Sequence, residues 1–228
     1  MSTGLTAARY LYEREQYQMA KRMAEAAIET FTDKTTLAFA SAVDLVGLID
    51  LDLNKPSSAM EHFTGALEVR KQRLGPDDPL VASSLNNIGL AHTEMGELGD
   101  AYEAHHQAMA IRLERARDRI GNSYSNMASL LLRMGRPDEA EEMLKRCPSL
   151  KDFTDETFLR TGNPRFSGDM VLLSRIRLRQ GRLDDAVCLA TKALAFRREL
   201  LGDRLKTCDS LYDVAALVHL QGWNDAAM

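Results

Sequence analysis

Six alanines recur along the chain at nearly even steps, each five residues after a turn-like residue. Ala20, Ala59, Ala101, Ala140, Ala186 and Ala227 follow Glu15, Asn54, Gly96, Gly135, Gly181 and Gly222 in that order. Seven residues past the first five alanines stands a second small residue: Ala27, Ala66, Ala108, Cys147 and Ala193. Seven before each turn residue stands a third: Ala8, Gly47, Gly89, Ala128, Ser174 and Ala215. Self-similarity at a steady period is the signature of a repeat architecture, in which one supersecondary unit buries its apolar face against its neighbours.

The physical reading of each unit is a helix, a tight turn and a second helix. Small residues let the two helices approach closely, and larger apolar residues fill the space between them. In the third unit Leu85, Ile88, Gly89 and His92 share one face of the first helix, and Ala101, His105 and Ala108 form the inward stripe of the second. Gly96 is expected to end the first helix in a left-handed cap, and Pro137 to open the second helix of unit four. Ala and Leu dominate the apolar set and aromatics are 6%, which favours helix over strand. Helices are expected near residues 4–14, 17–31, 36–53, 56–74, 79–95, 98–117, 119–134, 137–147, 168–180, 183–201, 204–221 and 223–228.

The segment Ala66-Leu67-Glu68-Val69-Arg70-Lys71-Gln72-Arg73-Leu74-Gly75 returns later in the chain as Ala193-Leu194-Ala195-Phe196-Arg197-Arg198-Glu199-Leu200-Leu201-Gly202. After the first copy, Pro76-Asp77-Asp78-Pro79 leads into Ser84-Leu85-Asn86-Asn87-Ile88-Gly89, with Asp78 placed as an N-cap and Pro79 at the first helical position. Over nearly the whole chain this pattern resembles the tetratricopeptide repeat, and more narrowly the longer-period subclass of kinesin light chains and of many fungal and bacterial signalling proteins. The resemblance implies an all-α, right-handed superhelical solenoid of about six helix-turn-helix repeats in a single domain, 1–228. The repeats fall at about 4–31, 41–75, 80–116, 121–147, 167–202 and 207–228, the last truncated. Repeat one departs from the pattern in having Glu15 at the turn.

A surface excursion, 148–168, interrupts the series without breaking its phase. Its Pro148, Thr161-Gly162-Asn163-Pro164 and Gly168 read as loop punctuation around a short helical turn near Asp155–Leu159. The chain stops at Met228, before the second helix of repeat six should finish. This predicts a fragment of a longer protein, or a tail that frays or pairs with a partner, including self-association through the incomplete C-terminal repeat.

Most site chemistries find no support. With 29 basic and 33 acidic residues the net charge is −4, so no basic surplus suggests nucleic acid. Cys147, Cys188 and Cys208 lie far apart, without the spacing of a disulfide framework or a cysteine zinc site, and suit a reducing compartment. No apolar stretch approaches the length of a membrane-spanning helix, and Met1 is followed by polar Ser2 and Thr3. No membrane span or signal peptide is therefore expected, and the localisation is read as cytoplasmic. The phosphate-loop and dinucleotide glycine patterns are missing, so no cofactor is expected. His105 and His106 point about 100° apart on a helix, which does not suit a shared metal; the metal expectation is none. Cys147 stands where other repeats carry alanine and reads as a buried structural thiol. Asp184-Asp185 and Glu141-Glu142 lie near the starts of second helices, where they complement the helix dipole. Met127, Met143 and Met170 read as fillers between helices. No catalytic residue is named, and the chain is read as non-enzymatic.

Stacked helix pairs line their concave surface with the first helix of each repeat. Counting back from the turn residues places Asp44 and Leu48 there in repeat two, Asn86, Asn87 and Thr93 in repeat three, Asn122, Asn126 and Arg133 in repeat four, and Val171, Arg175 and Arg179 in repeat five. A side-chain amide offers both donor and acceptor, so asparagines can pair with the backbone of an extended peptide. Related light-chain grooves use asparagines in this way, and the resemblance carries that role to Asn87 and Asn126. Arg133, Arg175 and Arg179 would add positive potential for an acidic segment or a terminal carboxylate. Arg177 occupies a position that normally packs inside and is left out of the groove. The expected function is a protein- or peptide-binding scaffold or adaptor whose concave groove is formed by Asn86, Asn87, Asn122, Asn126, Arg133, Arg175 and Arg179. The alternative is a sensor or autoinhibitory repeat domain of a larger signalling ATPase.

Overall fold

Five of the six expected turns share one backbone geometry. A computed structural model describes residues 3–151, 164–202 and 205–227. Glu15, Asn54, Gly96, Gly135 and Gly181 all have positive φ, between 57° and 81°. At each, the following N–H returns to a carbonyl five residues back: Gln16 to Leu11 at 3.0 Å, Lys55 to Asp50 at 2.8 Å, and Glu97 to His92, Arg136 to Leu131 and Arg182 to Arg177 at 2.9 Å. The turn residue's own N–H bonds the carbonyl three back, as in Gly96 to Thr93 at 3.2 Å. Each pair of bonds is a Schellman cap, which satisfies the orphan carbonyls of the first helix. Glycine is suited to this conformation, whereas Glu15 and Asn54 hold it with a side chain present.

These caps separate the helices of each repeat. In order they are α1 (Thr3–Glu13) and α2 (Tyr17–Glu29), α3 (Leu37–Asp52) and α4 (Pro56–Leu74), α5 (Pro79–Met95) and α6 (Leu98–Arg115). A 3-10 turn (Arg117–Arg119) then precedes α7 (Ile120–Arg133), α8 (Pro137–Lys145) and the short α9 (Pro148–Lys151). The remaining helices are α10 (Pro164–Arg179), α11 (Leu183–Leu201) and α12 (Leu205–Ala227). Among the described residues there is no strand. Thr36 caps α3 by accepting from the Phe39 N–H at 3.2 Å, and Asp78 caps α5 by accepting from Leu80 at 2.7 Å, with Pro79 at its first position as expected.

The chain divides into two compact units, residues 1–123 and 124–228. In the first, Ala8, Ala20, Ala24, Leu45, Val46 and Ile49 form one core cluster, and Phe63, Val81, Leu85 and Ile88 anchor another. In the second, Met170, Val171, Ala193 and Phe196 pack together, and Ala186, Ala190 and Leu217 form a separate cluster. Ala101, Ala140 and Cys147 are completely buried, as the repeat phase requires.

The elements differ from expectation at five places, the first being Pro148, expected as loop punctuation, which opens the short helix α9. The second helix of repeat four ends at Lys145, and the second helix of repeat three ends at Arg115, followed by the 3-10 turn. The helix expected from 168 begins at Pro164, because proline is favoured in the first turn of a helix and does not prolong the loop. No turn interrupts residues 205–227, and Gly222 lies inside α12. Leu217 of this helix is buried against α11, while Val218 is 49% exposed. The turn expected near residues 155–159 lies outside the described residues.

The small position seven residues before each turn has a direct steric cause. A Cβ on Gly89 would stand 2.7 Å from the His105 ring, and one on Gly47 would stand 2.5 Å from Phe63. His105 and Phe63 lie four residues after Ala101 and Ala59, so the same hollow is filled by a large side chain in successive repeats. We expect Gly89→Ala to overpack this contact and cost about 1–3 kcal/mol. Gly65→Ala, on a helix surface with open space around it, should stabilise by about 0.5–1 kcal/mol. Thermal melts of the two variants should therefore move in opposite directions.

His105 is 1% exposed, and its Nδ1 has no hydrogen-bond partner. Burial, helped by the nearby Arg112 charge, lowers its pKa from 6.5 to about 4. The folded state therefore keeps the ring neutral where the unfolded chain takes up a proton. This stability is fully present above about pH 6.5 and is lost as pH falls toward 4. About 3 kcal/mol should disappear over that window. His105→Phe, which copies Phe63, should remove this part of the loss, measured by urea unfolding of both proteins at pH 7 and pH 4.

Candidate functional site

Arg70, Arg112 and Arg197 each follow a fully buried repeat alanine by eleven residues. All three are nine-tenths or more buried. Arg70 donates to Ser84 Oγ at 2.6 Å, Arg112 to Ser123 at 2.8 Å and Arg197 to Ser210 at 2.7 Å. Each also reaches a serine on the first helix of its own repeat: Ser41 at 3.5 Å, Ser83 at 3.5 Å and Ser167 at 3.2 Å. In repeats two and five a second-helix guanidinium thus bridges two successive first helices. Burial pushes the Arg197 guanidinium below its ordinary pKa.

In the first unit this bridge forms the floor of a cleft of about 230 Å³. Arg9, Tyr12 and Glu13 of α1 line it with Ser41, Asp44, Leu45 and Leu48 of α3, Arg70 of α4 and Asn87 of α5. Asp44 forms an ion pair with Arg70 through Oδ2, and Asn87 stands with them in the cleft wall. Burial raises the Asp44 pKa, and Arg70 and Asn87 offset part of that rise. Asp44 Oδ1 and Arg70 Nε are buried without partners. Burial and the neighbouring Asp52 raise the pKa of the Tyr12 hydroxyl.

The expected groove residues are distributed unevenly. Asn87 is half-buried in the cleft wall, and Asn122 and Asn126 are half-buried on α7. Asn86 is 7% exposed, a correction: its side chain points about 100° away from that of Asn87 and turns into the packed interior. Asp44, Thr93 and Val171 are likewise buried rather than on an open surface, and Thr93 Oγ1 donates to the Gly89 carbonyl at 2.7 Å. Arg133, Arg175 and Arg179 are exposed, but Arg175 is paired with Asp213 of α12 at 2.9 Å.

Arg177 does turn inward, as its position suggested. It meets Glu141 of α8 with two bonds, at 2.5 and 2.8 Å, and Gln180 joins the same carboxylate. The Arg177 hydrogen bonds bring the Glu141 pKa down to about 2. Cys147 sits beside Ser125 Oγ at 3.3 Å, and that hydroxyl donates to the buried Asp169 at 2.6 Å. His92, Glu97 and Asp100 bring three possible metal-ligand atoms within 4.8 Å of one another around the Gly96 turn, and His92 Nδ1 is engaged with Glu97 at 2.6 Å.

Sequence reasoning placed Asp44 on the concave surface without naming it among the groove residues, and passed over Arg70, Arg9, Tyr12 and Glu13. The recurring Arg70 and Arg197 of the repeated segment carried part of the signal; their buried partners could not be read from a single line of sequence. We expect Arg70→Leu, which strands the Asp44 carboxylate, to cost about 3–5 kcal/mol. The double variant Asp44→Leu, Arg70→Leu should recover much of that loss in a urea-unfolding double-mutant cycle.

A tetratricopeptide-repeat family model matches residues 39–114 and 81–147. No curated protein matches the sequence. Among solved structures, kinesin light chain TPR-like repeats from Podosopora anserina are 17% identical, with a TM-score of 0.61 over 87% of this chain and 95% of that one. A thermophilic tetratricopeptide-repeat protein from Thermus thermophilus is 19% identical, with a TM-score of 0.65 over 92% of this chain and 97% of that one. The Rap conjugation gene regulator of plasmid pLS20, solved in complex with the Phr* peptide, is 16% identical with a TM-score of 0.72. That match covers 97% of this chain and 64% of the regulator.

Proposed function

Because the chain is a tetratricopeptide-repeat protein of kinesin-light-chain-like architecture, we propose that it is a non-enzymatic scaffold that binds protein segments or extended peptides along the faces of its first helices. The observation that carries this reading is the cleft of the first unit. First-helix side chains make most of its wall, and a half-buried asparagine, Asn87, stands among them. The solved plasmid regulator binds a peptide on the same fold, which supports the reading. In the second unit Arg133 and Arg179 are exposed cations on the first helices α7 and α10, suited to acidic side chains of a bound segment. Arg175 contributes less, because Asp213 already neutralises it. No described helix is long and apolar enough to cross a membrane.

The test is recovery of a partner from native lysate, followed by titration of its binding segment. Asn87→Ala should weaken binding several-fold whatever the side chains of the segment, since the lost bond goes to backbone. Arg133→Glu with Arg179→Glu should weaken acidic segments alone, by about 1 kcal/mol per arginine, with a loss that shrinks at high salt. Variants that bind as tightly as the parent would move the site to another surface.

A further inference from the structure

The cleft of the first unit has the dimensions and chemistry of a subsite for one side chain. Resting on the scaffold reading above, we propose that it holds a basic residue, the lysine or arginine of a bound peptide, with its charged head at Asp44 and its stem along Tyr12, Leu45 and Leu48.

Three observations point there. At about 230 Å³ the cleft is smaller than the roughly 300–1,000 Å³ of pockets that enclose whole small molecules, so a single side chain suits it better. Its apolar wall of Tyr12, Leu45 and Leu48 matches the methylene stem of a long basic residue. Asp44, 8% exposed, has Oδ2 occupied by Arg70 while Oδ1 has no partner. A buried carboxylate oxygen without a donor is costly, and an N–H from a ligand cation would supply a strong, charge-assisted bond.

The surrounding field agrees. Residues 1–123 carry 13 lysines and arginines against 18 aspartates and glutamates, five acidic charges in excess, whereas residues 124–228 carry 16 against 15. Of the two cations in the cleft wall, Arg70 is buried, its charge neutralised by Asp44 and its terminal nitrogens held by Ser84 and Ser41, with only Nε unpartnered. Arg9 lies on α1 one turn before Glu13, so the exposed rim carries both signs and the buried acceptor decides the preference.

The experiment is selection of a random dodecapeptide display library on the immobilised full chain, followed by titration of the synthetic winners. The enriched peptides should share one lysine or arginine. Replacing it with norleucine, which keeps the stem and removes the charge, should raise Kd about tenfold or more. Leu48→Phe fills the cleft without touching the ion pair and should cause a similar loss. Combining it with the norleucine peptide should add little further. Asp44→Asn should act alike, and Leu48→Phe keeps the test decisive if that variant loosens the fold. Winners without a shared basic position, or a norleucine peptide that binds within about twofold of its parent, overturn the proposal. So does binding that is lost on acetylating the peptide terminus instead. If such peptides still lose affinity with Asn87→Ala, the scaffold reading stands and the basic subsite falls. A library that enriches nothing overturns both.

Discussion

The buried guanidinium bridge is the interaction on which the repeat geometry depends. A small-residue interface holds two helices of one repeat together, but it does not by itself set the distance to the next first helix. Within the two units Arg70 and Arg197 do so by donating to serines on two successive first helices. Arginine suits this role because its planar fork presents several donors in fixed directions and remains charged when buried. A leucine there would satisfy packing and take these donors away from the serines.

Close packing inside each repeat adds a second constraint. The large residue four positions past the repeat alanine and the small residue on the facing helix are complementary: Phe63 with Gly47 and His105 with Gly89. Histidine in that hollow makes the third repeat sensitive to acid, because the site admits a neutral ring and resists an imidazolium. At repeat four Leu144 stands with Ala128, both fully buried. At repeat five Ala190 replaces the large residue, and Ser174 Oγ instead bonds the Ala186 carbonyl at 2.7 Å. The hollow is thus filled by different side chains around one backbone scheme.

The same bridges shape the candidate binding surface. In repeat three the arginine meets Ser83 and Ser123, whereas in repeat two it meets Asp44 as well as its serines, which brings a buried charge into the cleft wall. An aspartate at that place turns a structural bridge into a polar site with an unmatched acceptor. In the second unit the arginine of repeat five lies in the field of Asp209 and Asp213, and the latter also holds Arg175. Identical positions in successive repeats therefore present different chemistry to a ligand, which is how a repetitive framework can acquire a directional specificity.

The sequence by itself determined the all-helical repeat, the positions of five of its six expected turns and the buried alanines. Each of those follows from local rules: helical periodicity, the left-handed cap, and the need for small residues where helices cross. Asn87 lies half-buried in the cleft wall, at a phase relative to Gly96 that is counted along a single helix. The sequence did not reveal that Asn86 turns inside, that Asp213 captures Arg175, or that Asp44 is buried against Arg70. These depend on partners on other helices, distant along the chain. Only tertiary structure decides which of several charges meets which, since the energy of an ion pair depends on separation and burial that sequence spacing does not encode.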